Sequence, residues 1–128
     1  MNYLLDTHVL IWFLEGSNNI PEKTRLIISD EYNEIFVSIA TFWEMAIKLS
    51  LGKLILPKDL KGIIQDTRSL NISVLKINEE HVLKVLELPI IHKDPFDRII
   101  ISQAIIENMK IISKDIFFDS YNITKIWS

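Results

Sequence analysis

Two aspartates follow predicted β-strands within two residues, at the end of the strand where α/β proteins commonly place their chemistry. Asp6 follows the apolar segment 3–5, and Asp115 follows the apolar segment 110–113. Parallel strands of one sheet end at the same edge, so we expect both side chains there. Converging carboxylates are typical ligands of Mg²⁺ or Mn²⁺. The alternatives are a helix N-cap for Asp6 and a turn residue for Asp115.

A third acid, Glu44, lies within the most apolar helix that the sequence predicts, over residues 39–51. Glutamate is rarely buried unless it is paired or bound to a metal. Thr41, Glu44 and Lys48 recur at the spacing of one helix face. Periodicity alone therefore favours a solvent-exposed polar stripe with a Glu44–Lys48 ion pair.

The segment Asp94-Pro95-Phe96-Asp97 has the composition of a helix start. An aspartate at the N-cap, a proline at N1 and a second aspartate at N3 predict a helix over residues 94–109. We assign Asp94 to the cap. Asp97 can bond back to the cap or project from the helix end into a cleft, and spacing alone leaves both possibilities open.

Strand-like and helix-like segments alternate along the whole chain. The predicted strands cover residues 3–5, 34–37, 73–77, 110–113 and 124–127. The predicted helices cover residues 7–15, 21–31, 39–51, 58–69, 79–88 and 94–109. This alternation predicts an α/β protein: one three-layer α/β/α domain over residues 1–128, with a four- to five-stranded, mainly parallel sheet.

The composition excludes some kinds of site. The 128 residues include no cysteine, which excludes disulfides and thiolate metal sites. The three histidines do not have a ligand spacing. We expect His81 to be at the surface or half-buried, and His92 to form local hydrogen bonds near Asp94. The main aromatic residues (Trp12, Phe13, Phe42, Trp43 and Phe96) are expected in the core or under a partner rather than as a base-stacking platform.

The net charge of −3 and the pI of about 5.6 show no basic face in bulk. Binding of RNA would therefore need a local basic rim, a bound metal or a second subunit. The sequence shows neither a signal-peptide pattern nor an apolar run long enough to span a bilayer. We expect a cytoplasmic protein without membrane contact.

Four segments, in order and over nearly the whole chain, resemble the PIN-domain ribonucleases, and within them the VapC-type toxins of bacterial toxin–antitoxin pairs. The segments are residues 3–8, 38–54, 92–104 and 113–115. The resemblance implies Mg²⁺-dependent cleavage of RNA, an antitoxin protein that binds and inhibits the chain, and homodimers.

The resemblance also assigns residues. Four acids match the family's catalytic acids: Asp6, Glu44, Asp97 and Asp115. Among these, the resemblance favours Asp6, Asp97 and Asp115 as metal ligands, with Glu44 helping to orient the ion or water. Candidates for an auxiliary role are Thr7, Ser38, Asp94 and Ser113, the last of which stands where the family often has threonine. Candidates for phosphate contact are Lys48, Arg98 and Lys114.

Two other functions remain open at this point. A catalytically silent PIN-like module could bind a protein partner without cleaving RNA. A Mg²⁺-binding phospho-acceptor receiver domain has the same size, but it needs an acidic pair after the first strand and an aspartate after the third. Here Asp6 precedes Thr7-His8, and the third predicted strand ends in Ile77-Asn78. An Asp-x-Asp phosphatase is disfavoured by His8 for the same reason.

Overall fold

The computed structural model describes residues 1–128 and contains a five-stranded sheet in which every neighbouring pair is parallel. The strands are β1 (Asn2–Leu5), β2 (Glu34–Ser38), β3 (Ile72–Leu75), β4 (Lys110–Ile112) and β5 (Lys125–Ile126). Their order across the sheet is β3-β2-β1-β4-β5. The predicted α/β class is confirmed, and the sheet is wholly rather than mainly parallel.

Six α-helices and one short 3-10 helix connect the strands. They are α1 (Thr7–Glu15), α2 (Glu22–Ser29), α3 (Ile39–Ser50), α4 (Leu60–Ser69), α5 (Glu79–Glu87), α6 (Pro95–Ile106) and the 3-10 helix Ile116–Ser120. None of these helices is both long and apolar enough to cross a membrane.

The strands are buried on both faces, and alternate residues supply two separate cores. On one face Leu5 and Val37 pack with residues of α1 to α4, including Met45. On the other face Leu4 and Ile111 pack with residues of α6 and with the segment that follows β4. This alternation is what a parallel sheet between two helical layers requires.

The strand order reverses direction at β1. From β1 the chain builds outward to β2 and β3 on one side, and it later returns to place β4 on the other side. Leu5 is in register with Ile112, so β1 and β4 end at the same level. The residues after these strands therefore face the crevice at the switch point, where open α/β sheets bind their ligands.

Several predicted boundaries shift by a few residues for local reasons. The third strand ends at Leu75 rather than Ile77, because Leu75 already pairs with Ser38, the last residue of β2. The last helix ends at Ile106 rather than 109, because Asn108 adopts a left-handed conformation with φ of 55°. That conformation commonly terminates helices.

The expectation that His81 lies near the surface is wrong. Its side chain is fully buried between α5 and α6, and its Nε2 lies 2.8 Å from a carboxylate oxygen of Glu107. Its Nδ1 accepts a hydrogen bond from the backbone N–H of Asn78 at 3.1 Å. Ser102 Oγ also donates to the carbonyl of His81. These bonds attach α5 to the helix that carries Asp97.

Replacing His81 by alanine should lower the free energy of unfolding by roughly 2–4 kcal/mol. The change opens a cavity in place of a fully buried side chain, and it removes the hydrogen-bond partner of the Asn78 N–H and of Glu107. Urea unfolding followed by circular dichroism measures the loss. Glu80→Ala, on the exposed side of the same helix, is the control and should stay within about 0.5 kcal/mol of wild type. Equal losses in the two variants would contradict this role for His81.

Candidate active site

Asp6 occupies the junction between β1 and α1, where it is both a helix cap and a cleft residue. Its Oδ1 accepts a hydrogen bond from the backbone N–H of Val9 at 2.9 Å, and its Oδ2 accepts one from Ser113 Oγ. Burial raises the pKa of Asp6, while these two hydrogen bonds lower it. The cap and the site interpretations are therefore compatible, because the same side chain serves both.

Ser113 links the ends of β1 and β4. Its hydroxyl donates to Asp6 and accepts a hydrogen bond from the backbone N–H of Asp115 at 3.0 Å. Asp115 in turn caps the 3-10 helix, where its Oδ1 accepts from the backbone N–H of Phe117 at 2.9 Å. The Ser113 hydroxyl therefore bonds to both strand-end acids and keeps them together.

Glu44 is buried rather than solvated, with only 6% of its surface exposed. Its Oε1 accepts a hydrogen bond from Thr7 Oγ1 at 2.7 Å, and its Oε2 pairs with Lys48 Nζ at 2.8 Å. The ion pair that periodicity predicted is formed. The polar stripe itself is not exposed to bulk solvent, because Thr41 is also buried and the stripe faces the cleft. The hydrogen bond to Glu44 is the main reason why the pKa of Lys48 is raised.

Asp94 and Asp97 have different roles at the start of α6. Asp94 is the predicted N-cap, and its Oδ1 accepts from the backbone N–H groups of Phe96 and Asp97 at 2.9 and 3.0 Å. The Asp97 side chain lines the cleft instead, and its Oδ2 lies 3.4 Å from His92 Nε2. Burial, followed by the charges of the neighbouring acids, raises the pKa of Asp97 from 3.8 to about 7.

One cleft of about 250 Å³ collects all four predicted acids. Those acids are Asp6, Glu44, Asp97 and Asp115, and the cleft is also lined by Asp94, Thr7 and Lys48. A larger depression of about 630 Å³ lies at the opposite edge of the sheet, but no acid or histidine lines it. The candidate catalytic side chains therefore lie at the carboxyl edge of the sheet, although the depression at the opposite edge is larger.

Four predicted residues do not line this cleft: Ser38, Ser113, Arg98 and Lys114. Ser38 is the N-cap of α3, and its Oγ accepts from the backbone N–H of Ala40 at 3.0 Å. The Arg98 guanidinium donates to the carbonyls of Pro89 at 3.0 Å and Val85 at 3.2 Å. These bonds stabilise the segment between α5 and α6, and a phosphate contact by Arg98 stays a prediction. Lys114 is exposed at the rim of a neighbouring pocket that Asp6 and Asp115 also line.

The sequence analysis did not find the cleft residues His8 and Phe117, and it placed His92 only in local bonds. His92 Nδ1 lies 2.8 Å from the hydroxyl of Tyr121, and its ring stacks on Phe117 with an interplanar angle of 4°. These partners are more than 20 residues away in sequence, so no local pattern could have indicated them.

The donor set fits a hard divalent cation in its chemistry. As the side chains stand, no three histidine, aspartate or glutamate side chains are arranged around a common point as a metal site requires. Carboxylate oxygens are nevertheless the preferred ligands of Mg²⁺, and the charges of Asp94, Glu44, Asp115 and Asp6 all raise the pKa of Asp97. A cation would relieve this repulsion.

Comparison with known proteins gives a family and a fold. A PIN domain family model matches residues 3–123. VapBC2 from Rickettsia felis, solved bound to a DNA fragment from its promoter, aligns with a TM-score of 0.74 at 17% identity over 100% of both chains. A toxin–antitoxin complex from Klebsiella pneumoniae aligns with a TM-score of 0.64 at 17% identity, over 97% of this chain and 95% of the other.

A third similar structure is VapBC-1 from nontypeable Haemophilus influenzae. It aligns with a TM-score of 0.60 at 19% identity, over 98% of this chain and 97% of the other. A search of curated proteins found no match. At these identities the solved structures show a shared fold.

The raised pKa of Asp97 makes stability depend on pH in metal-free buffer. Between about pH 4 and 7 the folded protein keeps a proton on Asp97 that the unfolded chain releases, so stability falls as the pH rises. Asp97→Asn imitates the protonated form. In the presence of EDTA it should raise the free energy of unfolding at about pH 7.5 by on the order of 2 kcal/mol, with little gain at about pH 4.5.

Urea unfolding at the two pH values measures this effect. Glu31→Gln, which removes an exposed acid outside the cleft, is the control and should behave as wild type at both. An Asp97→Asn variant that is no more stable than wild type at about pH 7.5 would contradict the electrostatic explanation.

Proposed function

The chain belongs to the PIN domain family, and we propose that it is a metal-dependent endoribonuclease that acts as the toxin of a toxin–antitoxin pair. The observation that carries the proposal is the meeting of Asp6, Glu44, Asp97 and Asp115 in one cleft at the switch point of the sheet. The family match removes the receiver-domain alternative. The silent binding module is separated from the nuclease by an activity assay.

We assign the acids of the cleft separate roles. Asp6, Asp97 and Asp115 would hold Mg²⁺, or Mn²⁺ in its place. When bound, such a cation supplies positive charge for the phosphodiester and lowers the pKa of a bound water. Asp6 is held in place by Ser113 and by the N–H of Val9, so its orientation is set before any ligand arrives.

Glu44 and Lys48 form the other wall of the proposed site. Thr7 and Lys48 each bond one carboxylate oxygen of Glu44, which fixes its orientation. Lys48 also faces the charges of Asp94 and Asp97. Its ammonium group is therefore the protein cation that is best placed to contact a phosphate inside the cleft, with Lys114 at the rim. Because Lys48 is also paired with Glu44, only part of this charge is available to a phosphate.

Cleavage of single-stranded RNA by the purified chain tests the proposal. Asp6→Asn and Asp97→Asn should each reduce the rate in Mg²⁺ by on the order of 100-fold or more, because each removes a charge that the cation requires. EDTA should abolish cleavage, and Mn²⁺ should restore it. Asp119→Asn, an exposed acid of the 3-10 helix outside the cleft, is the matched control and should retain full activity.

Unchanged cleavage in both Asp6→Asn and Asp97→Asn would sink the nuclease assignment. A wild-type chain that binds its protein partner but cleaves no RNA would instead support the silent module. In either case, thermal unfolding with and without Mg²⁺ reports cation binding independently of activity, since a ligand that binds only the folded state raises its stability.

The antitoxin proposal draws on the similar structure from Klebsiella pneumoniae, which is a toxin–antitoxin complex. Expression of the chain alone should arrest bacterial growth, and co-expression of the neighbouring reading frame should restore growth and co-purify with the chain. Cells that express the Asp6→Asn variant should grow normally, and the variant should still co-purify with the product of the neighbouring reading frame. Normal growth with the wild-type chain alone, together with no co-purification, would refute the toxin role. A homodimer remains a prediction of the family resemblance, and gel filtration with light scattering tests it.

A further inference from the structure

Phe117 is the only hydrophobic side chain that lines the acidic cleft. Its ring is 49% exposed, although it lies two residues after Asp115 and beside charged groups. The backbone N–H of Phe117 donates to Asp115 Oδ1 at 2.9 Å, so its backbone is attached to a residue of the proposed site. An aromatic ring presented to water inside a functional cleft is a feature that a ligand can use.

The ring of Phe117 is held by a stacked partner. The His92 ring lies parallel to it, with an interplanar angle of 4° and a centroid separation of 5.2 Å. His92 is itself fixed between the hydroxyl of Tyr121 at 2.8 Å and Asp97 Oδ2 at 3.4 Å. His92 therefore supports the Phe117 ring, and the part of Phe117 that remains exposed is available to a second flat group.

We propose that Phe117 forms a nucleobase-stacking subsite, on which a base next to the scissile phosphate of single-stranded RNA lies flat. The inference rests on the proposed nuclease function and names a contact to its substrate. The five acids of the cleft repel phosphate groups, so the contacts that hold RNA there must be cationic or neutral. A base is neutral and flat, and stacking on an aromatic ring is tolerant of sequence.

The same position explains why the contact would matter for the reaction. Asp115 and Phe117 are joined through the cap of the 3-10 helix, so a base stacked on the ring places its own phosphate beside the acids. An apolar side chain of a protein partner could also cover an exposed phenylalanine. If a protein partner covers Phe117, RNA affinity should not depend on Phe117. The experiment below distinguishes a protein partner from an RNA base.

Steady-state cleavage of a short RNA by wild type, Phe117→Ala, Phe117→Leu and Phe117→Trp tests the subsite. Phe117→Ala should raise KM by about 5- to 150-fold, the range found when an aromatic stacking partner is removed. Phe117→Trp should remain near wild type, and Phe117→Leu should lose most of the affinity because it lacks a flat face. All three keep the backbone N–H that bonds Asp115. Tyr32→Ala, which removes a ring that is 85% exposed and outside the cleft, is the control.

An abasic substitution moved along the RNA identifies the stacked base. At one position next to the cleaved bond, the abasic RNA should lower the affinity of wild type, and Phe117→Ala should have no further effect on it. The same comparison is made by fluorescence anisotropy in an Asp6→Asn background, which reports RNA binding without cleavage. Circular dichroism confirms that each variant is folded.

The possible failures can be told apart. If wild type cleaves RNA and Phe117→Ala binds and cleaves it equally well, the subsite is wrong while the nuclease function stands. If RNA binds without cleavage and Phe117→Ala weakens that binding, the subsite stands and the nuclease function fails. If Phe117→Ala weakens only the binding of a protein partner, or if wild type binds no RNA, the proposal is overturned.

Discussion

The repulsion among carboxylates in one half-buried cleft is the constraint around which the carboxyl edge of this protein is built. Four of the five acids receive hydrogen bonds that compensate for it. Asp6, Asp94 and Asp115 each accept at least one backbone N–H at the start of a helix, and Glu44 accepts from Thr7 and Lys48. Asp97 has only His92 within reach of its carboxylate, at 3.4 Å. Burial and the repulsion that is left uncompensated therefore raise the pKa of Asp97 to about 7.

Hydrogen bonds between the cleft carboxylates and the N–H groups at helix N-termini stabilise both groups. A helix N-terminus needs acceptors for its free N–H groups, and a carboxylate near other carboxylates needs donors. Placing acids at the N-termini of α1, α6 and the 3-10 helix satisfies both needs at once. This is why the structural and functional interpretations of Asp6 and Asp115, which look like alternatives in the sequence, coexist in the fold.

The sequence was sufficient to predict those features whose hydrogen bonds join residues close together in the chain. The caps by Asp6, Ser38 and Asp94 and the common edge of β1 and β4 follow from residue order and strand ends. The burial of Glu44 does not follow, because its donor Thr7 is 37 residues away in sequence.

The contacts of two basic residues, His81 and Arg98, could not be predicted from the sequence for the same reason. His81 is buried against Glu107, and Arg98 bonds the carbonyls of the preceding loop. In both cases the partner lies on a neighbouring element whose position only the tertiary fold determines. Helical periodicity describes which face a residue occupies, but it does not say what covers that face.

The distribution of charge also limits how an acidic chain can engage a polyanion. The net charge of −3 removes long-range attraction for RNA, so recognition on the proposed function must arise within a few ångströms of the cleft. Inside it, Lys48 is committed to Glu44 by an ion pair of 2.8 Å, which leaves only part of its charge for a substrate. A cation held by the acids and a neutral ring such as Phe117 are the two remaining sources of affinity. The metal should then contribute affinity for the phosphate and stacking should contribute affinity for the base, so loss of either one should weaken RNA binding while the fold is kept.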